Sequence, residues 1–290
     1  MNVRLHHRIT GEGRPLLLLH GLFGSLENLG GVNQRLQDEW QVHGLDLRNH
    51  GRSPHSDTMD YPAMAEDVVA YMDGQGIDRV SLLGHSMGGK TAMQVALTYP
   101  ERVDRLIVAD IAPVAYHPRH DAILEGLKNL DLSVVGSRSD ADRALKKYVE
   151  IPEIRMFLLK NLVRVPEAEK GDHAGSFRWR LNLPVIDACY SQLADAPAGE
   201  GPFVGPVLFL KGADSAYIQR KHHARIHSLF PKPVSRKSQA RTTGCMPRSR
   251  TSLSAIAGRF WHPYKGRLVP PPLLVVSGLA EAEPSQINNL

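Results

Sequence analysis

The chain has 290 residues, 42% of them hydrophobic and 22% charged, a composition that excludes a disordered or fibrous protein and allows one large domain with a sizeable core. Its formal net charge of +5 comes from one stretch, residues 232–267, which holds nine Lys/Arg and no Asp or Glu; the remainder is mildly acidic and carries no recognition motif, which argues against a nucleic-acid partner. Two cysteines, Cys189 and Cys245, at no metal-ligand spacing exclude a disulfide scaffold and a zinc site.

The first residues, MNVRLHHRITGEG, contain no apolar core of a signal peptide. No apolar run is long enough to span a membrane, so a cytoplasmic location is expected. Residues 16–20 (LLLLH), bounded by Pro15 and Gly21, read as a strand buried on both faces. Residues 42–47 form a second run, leading into the loop DLRNHGRSP. Met64, Val68, Tyr71 and Met72 recur at helical spacing over 61–72, with Asp60 placed to cap them. A strand over 79–83, a helix over 87–99 stopped by Pro100, and a strand over 106–109 follow. This alternation predicts βαβ units and a mostly parallel sheet flanked by helices.

After Pro113 the rhythm changes. Residues 114–200 read as helices with polar faces, such as 140–150 and 153–163, with no core strands between them. A buried strand at 207–210 (VLFL), the loop KGADSAY and a helix near 219–230 then resume the pattern. The expected organisation is an α/β core over 1–113 and 201–231, a helical cap over 114–200, and a basic, Pro-broken, weakly ordered tail over 232–290. No internal repeat is visible.

Gly84-His85-Ser86-Met87-Gly88 matches G-x-S-x-G, directly after a predicted strand and before a predicted helix. Such a turn strains its central residue, so glycines two positions away are needed to let strand and helix approach. It exposes the Ser86 hydroxyl and sets the Met87 N–H at a helix N-terminus, where it can stabilise an oxyanion. The turn His20-Gly21-Leu22-Phe23-Gly24 can supply the second oxyanion N–H, from Leu22 or Phe23. His85 and His20 border these turns as candidate substrate contacts, although His20, preceding its turn, also reads as a hydrogen-bonded structural residue. The bland alternative for both motifs is a glycine-rich connector.

HGLFGS (20–25), DLRNHGRSP (46–54), YPAMAEDV (61–68), GHSMGGK (84–90), DIAPVAYH (110–117) and RWRLNL (178–183) together resemble the YbfF-type bacterial esterases of the α/β-hydrolase superfamily over about residues 15–231. The resemblance implies hydrolysis of short- to medium-chain carboxylic esters or acyl thioesters through an acyl-enzyme on Ser86, a helical cap over the site, a small-molecule ester partner and no cofactor. Oligomeric state stays open. A different enzyme on the same fold (a haloperoxidase or C–C hydrolase) and a non-catalytic binder using the cap cleft are the competing readings. For the triad acid, Asp110 ends the strand after the nucleophile helix and Asp214 follows the next strand; the resemblance favours Asp110 and keeps Asp214 as the fallback.

The triad order Ser, acid, His calls for a histidine after the last strand, in a segment like G-x-G-H-W-x-H-x-E-x-P about a dozen residues past Phe230-Pro231. RKSQARTTGCMPRSRTS stands there instead. His222, His223 and His227 fall on a flanking helix and read as surface residues, and His262 has no strand before it. Back-translation in the shifted frame is informative. The junctions from Thr242/Thr243 through Cys245/Met246 can encode His, Trp, Leu and His; Met246/Pro247 must encode Ala; the next three permit Glu, Lys and Pro. Tyr264/Lys265 can form a stop. The pattern points to a single-base frameshift near residues 232–235, in the gene or its sequencing, and predicts a truncated sheet whose last strand and helix are missing or aberrant. A divergent C-terminal domain or a basic partner-binding tail is the alternative for this region.

Overall fold

The computed structural model describes residues 2–166, 177–212 and 215–234. Its centre is β2 (Arg14–Leu19), whose odd and even leucines face opposite ways. Leu17 and Leu19 join one buried cluster, Leu16 and Leu18 the other, and all four are almost inaccessible. A strand with both faces apolar belongs in the middle of a parallel sheet covered by helices. Strands β3 (Trp40–Leu45), β4 (Val80–His85), β5 (Val103–Ala109) and β8 (Val207–Leu210) are parallel to it, in the order β3-β2-β4-β5-β8.

β1 (His7–Thr10) adds to the β3 edge antiparallel. Its alternating polar residues gave no strand signal in the sequence, and it is held by pairing rather than by burial. At the opposite edge a two-residue strand, β9 (Pro233–Val234), pairs in parallel with β8. It lies just past the expected core limit at 231, so the sheet begins a last strand there. The rest of the anticipated tail lies outside the described residues.

Helices α1 (Gly30–Leu36), α2 (Tyr61–Gly74) and α3 (Met87–Thr98) cover the sheet, with Leu36 on the face of Leu16 and Leu18 and the apolar sides of α2 and α3 on the face of Leu17 and Leu19. Asp60 caps α2 as its sequence position suggests: its side chain accepts the Ala63 N–H. Between β5 and β8 come α4 (Asp121–Lys128), α5 (Arg138–Leu145), α6 (Pro152–Leu159), α7 (Leu183–Ala188) and α8 (Tyr190–Ala194). They are joined by a small antiparallel pair, β6 (Leu162–Arg164) with β7 (Phe177–Trp179). The helical reading of 153–163 is therefore corrected at its end. Asn161 leaves the helix and Leu162 pairs with Trp179. After β8, α9 (His223–Leu229) is shorter than the spacing suggested. No described helix is long and apolar enough to cross a membrane.

The loop after β3 is fixed by charge. Arg48, 1% exposed, donates from Nε and Nη2 to the Asp67 carboxylate at 2.6 and 2.8 Å, and Asp67 also accepts the Val3 N–H at 2.7 Å. The remaining guanidinium donors reach Thr58 and the Ala63 carbonyl. All five guanidinium protons and both carboxylate oxygens are thus engaged, the condition under which such a buried pair is tolerated. Asp67→Ala strands the guanidinium and the Val3 N–H; urea unfolding is expected to show a loss of about 3–5 kcal/mol, and a loss below 1 kcal/mol would mean that water replaces the carboxylate.

Candidate active site

At the C-terminal end of β4 the chain turns directly into α3. Ser86 occupies that turn at φ 51°, ψ −119°, its N–H donating to the Ala109 carbonyl at 2.9 Å. A side chain cannot fit on either side. A Cβ on Gly84 would lie 2.1 Å from the Gly88 carbonyl oxygen, and one on Gly88 would lie 2.3 Å from that of Leu19. The glycines are therefore a steric requirement of a strand and helix in backbone contact, and the strained serine between them is the kind of conformation that persists when its surroundings impose it.

The turn after β2 comes up against this one. A Cβ on Gly21 would sit 3.3 Å from the Ser86 Cβ. Leu22, Ser86 and Met87 line one narrow cavity of about 60 Å³, together with Lys90, Tyr61, Tyr116, His120 and Tyr190. Met87 begins α3, so its N–H has no helical acceptor. Neither its N–H nor that of Leu22 is paired with an acceptor among the described residues. Phe23 is different. Its N–H donates to His50 Nε2 at 3.1 Å, so unlike the Leu22 N–H it is already engaged.

His20 is also corrected as a substrate contact. It is fully buried, with Nε2 accepting the Leu47 N–H and Nδ1 donating to the Gly21 carbonyl. His85 is exposed and is not among the side chains lining the cavity. Asp110 follows β5 at φ 58°, its N–H bonded to the Leu210 carbonyl and its carboxylate accepting the Gly212 N–H at 3.1 Å. That bond ties the loop after β5 to the loop after β8. Asp214 and His262 lie outside the described residues. Of the three neighbouring histidines, His222 is not a surface residue: it is buried, edge-on to the Tyr116 ring at 5.9 Å, with Nδ1 either accepting the Gln219 N–H or, in the other tautomer, donating to the Tyr217 carbonyl. None of His222, His223 and His227 lines the cavity.

Two cavity residues carried no signal in the reading of the motifs. Lys90, one turn beyond Ser86 and 2% exposed, donates to the carbonyls of Ala194 and Asp195 and lies over the Tyr116 and Tyr61 rings. Burial pushes its ammonium down to about 7, against the opposing charge of Asp195. His120 Nδ1 lies 2.6 Å from Tyr190 Oη. Tyr190 Oη already accepts the N–H groups of Arg119 and His120, so its own proton goes to His120, and burial pushes that imidazole down to about 4. A helical position filled by Lys in GHSMGGK was the available clue; the Tyr190 contact, 70 residues away, had none. A larger cavity, about 560 Å³, lies in the insertion between β5 and β8, lined by leucines and Trp179. Among the described residues no group of acids, histidines and cysteines could hold a metal ion.

Residues 14–246 match the alpha/beta hydrolase fold family. The chain is 42% identical over 227 residues to the sn-1-specific diacylglycerol lipase ABHD11 of Xenopus laevis, covering 76% of this chain and 70% of that one. It is 35% identical over 222 residues to the esterase YbfF of Escherichia coli (strain K12), covering 75% and 81%. Among solved structures, a marine microorganism esterase matches with a TM-score of 0.76 at 40% identity, over 80% of this chain and 89% of that one.

The histidines of this region make stability depend on pH. Burial, the largest influence in each case, pushes His20 and His43 down from 6.5 to about 4 and His50 to about 3. All three stay neutral when folded and take up a proton on unfolding. Stability is therefore full above about pH 6.5 and falls as the pH drops toward 4, each histidine adding a slope of about 1.4 kcal/mol per pH unit. Urea midpoints measured at pH 7.5 and pH 5 should differ accordingly; coincident midpoints would show that these rings titrate normally in the folded chain.

Proposed function

The chain belongs to the α/β-hydrolase fold family and is a carboxylesterase-type hydrolase, and on that premise we propose that Ser86 is its nucleophile, acting on short- to medium-chain carboxylic esters or acyl thioesters in a cytoplasmic setting. The observation that carries the proposal is the strained Ser86 turn, with two acceptor-free N–H groups, from Leu22 and Met87, bordering the same cavity. Ser86 Oγ attacks the acyl carbonyl carbon as its proton passes to a histidine base. The carbonyl oxygen becomes an oxyanion held by the two N–H groups. The bond to the leaving alkoxide or thiolate breaks as that group takes the proton, and water then hydrolyses the acyl-enzyme by the same route. Asp110 orients the base, and Asp214 is the fallback. Glyceride esters, the substrates named for the ABHD11 relatives, form the lipid end of the range to test.

The base is the open element. No histidine among the described residues hydrogen-bonds to the Asp110 carboxylate, and the segment that would supply one is written in the shifted frame. We propose that residues 242–250 stand where a frame-restored chain reads His-Trp-Leu-His-Ala-Glu-Lys-Pro.

Hydrolysis of p-nitrophenyl butyrate tests these roles. The chain as written should turn over only slowly, since a site lacking one triad member keeps about 10³–10⁴-fold over water, and the frame-restored chain should exceed it by about 10³-fold or more. Equal rates would sink the frameshift. In the restored chain Ser86→Ala should abolish fluorophosphonate labelling, whereas retained labelling would place the nucleophile elsewhere. Asp110→Asn should lower kcat by about 10⁴-fold; if Asp214→Asn does so instead, the acid is Asp214.

A further inference from the structure

Phe23 is the third residue of the turn that carries the Leu22 N–H. The turn closes with the Gly24 N–H donating to the Gly21 carbonyl at 3.0 Å, and Phe23 sits at φ 59°. A positive φ at this position is the geometry of a type II turn, which favours glycine there. A phenylalanine in the left-handed region costs about 1–2 kcal/mol, so outside forces must hold it.

Both of its peptide groups are held. On one side His50 accepts the Phe23 N–H. That bond is possible only for the tautomer with a bare Nε2, and His50 Nδ1 donates to the Arg48 carbonyl at 3.0 Å, which selects it. On the other side Asn161 Nδ2 donates to the Phe23 carbonyl at 2.7 Å, across 138 residues of sequence. Asn161 is 3% exposed and lies between α6 and β6, in the insertion that follows β5. Its amide also reaches the Leu158 carbonyl, and its backbone carbonyl accepts the Arg180 N–H. The Phe23 ring is covered by His120 of the same insertion, edge to face at 5.9 Å.

We infer that Asn161 is a positioning residue for the oxyanion hole: docking of the cap holds the Phe23 carbonyl, and with it the strained turn that aligns the Leu22 N–H beside Ser86. The physical reason is that the turn has a cheaper alternative. Released from Asn161, Phe23 relaxes toward negative φ, the Leu22–Phe23 peptide turns its N–H away from His50, and the adjoining Gly21–Leu22 peptide, which carries the Leu22 N–H, loses the turn that keeps it beside Ser86. The cap thereby completes the oxyanion hole without contributing an atom to it. The inference rests on the oxyanion role proposed for Leu22, but the geometry it asserts is readable without turnover.

The test is amide exchange and chemical shift by NMR on the full ¹⁵N-labelled chain, with Asn161→Asp and Asn161→Ala. Aspartate keeps the shape of the side chain and cannot donate when ionised. In both variants the Phe23 amide should exchange at least about 10-fold faster and its proton should move upfield as the bond to His50 is lost, while amides of β4 and α3 keep their rates. Unchanged Phe23 exchange in both variants would overturn the inference. So would acceleration spread evenly through β4 and α3, because Asn161 would then serve packing alone. Fluorophosphonate labelling of Ser86 in the same samples separates the two readings: a chain whose Ser86 proves inert can still show the Phe23 response, and a reactive Ser86 can accompany its absence.

Discussion

The arrangement depends on one contact in which backbone meets backbone with no side chain between. Gly84, Gly88 and Leu19 approach so closely that a single methyl group on either glycine would collide with a carbonyl. That approach forces the reversal from β4 into α3 and places Ser86 at its apex with a positive φ. It also sets the first N–H of α3 beside the serine and lets the turn after β2 come within van der Waals reach through Gly21. Loosening it would move the hydroxyl and both N–H groups together. Much of the remaining sequence can be understood as holding this contact in place: apolar strands fill the two faces of the sheet, and Arg48 and Asp67 fix the adjoining loop.

The site's polar groups follow a second rule, in which burial keeps the imidazoles uncharged so that they can accept as well as donate. His20 and His50 each take a backbone N–H on one nitrogen and give a proton to a backbone carbonyl from the other. An imidazolium could do only half of that. These rings are better described as rigid backbone spacers than as acid–base groups.

The sheet strands, the capped helix α2 and the Ser86 turn were legible because each rests on local pattern: continuous apolar runs, a cap three residues from its target, glycines at fixed offsets. What was not legible depends on partners distant in sequence. Lys90 meets Ala194 over 104 residues and Asn161 meets Phe23 over 138; no periodicity encodes either. The sequence put Leu22 ahead of Phe23 without a physical reason, and the placement of His50 on the Phe23 N–H supplies one. The β6–β7 pair was missed because three-residue strands joined across a long connection leave no alternation to detect, and β1 because an exposed edge strand needs no apolar face. His222 reads as exposed on a basic helix and is buried because Tyr116 comes back to cover it.

The two ends of the insertion between β5 and β8 are tied together. The Tyr116 N–H donates to the Ala194 carbonyl at 2.9 Å, Lys90 holds the same carbonyl, and Gln94 exchanges hydrogen bonds with both backbone groups of Ala198. From the side of the core, the intervening residues are a closed loop with a welded neck. Lengthening such a loop is cheap, about 0.6 kcal/mol for each doubling, so the neck separates the core's stability from the size of what hangs on it. Lys90 and Gln94, on the helix that begins just after Ser86, are then a socket. An insertion of other length and shape could be exchanged between residues 116 and 194 as a cassette, provided that it returns a backbone carbonyl to that socket and a donor to the Phe23 carbonyl.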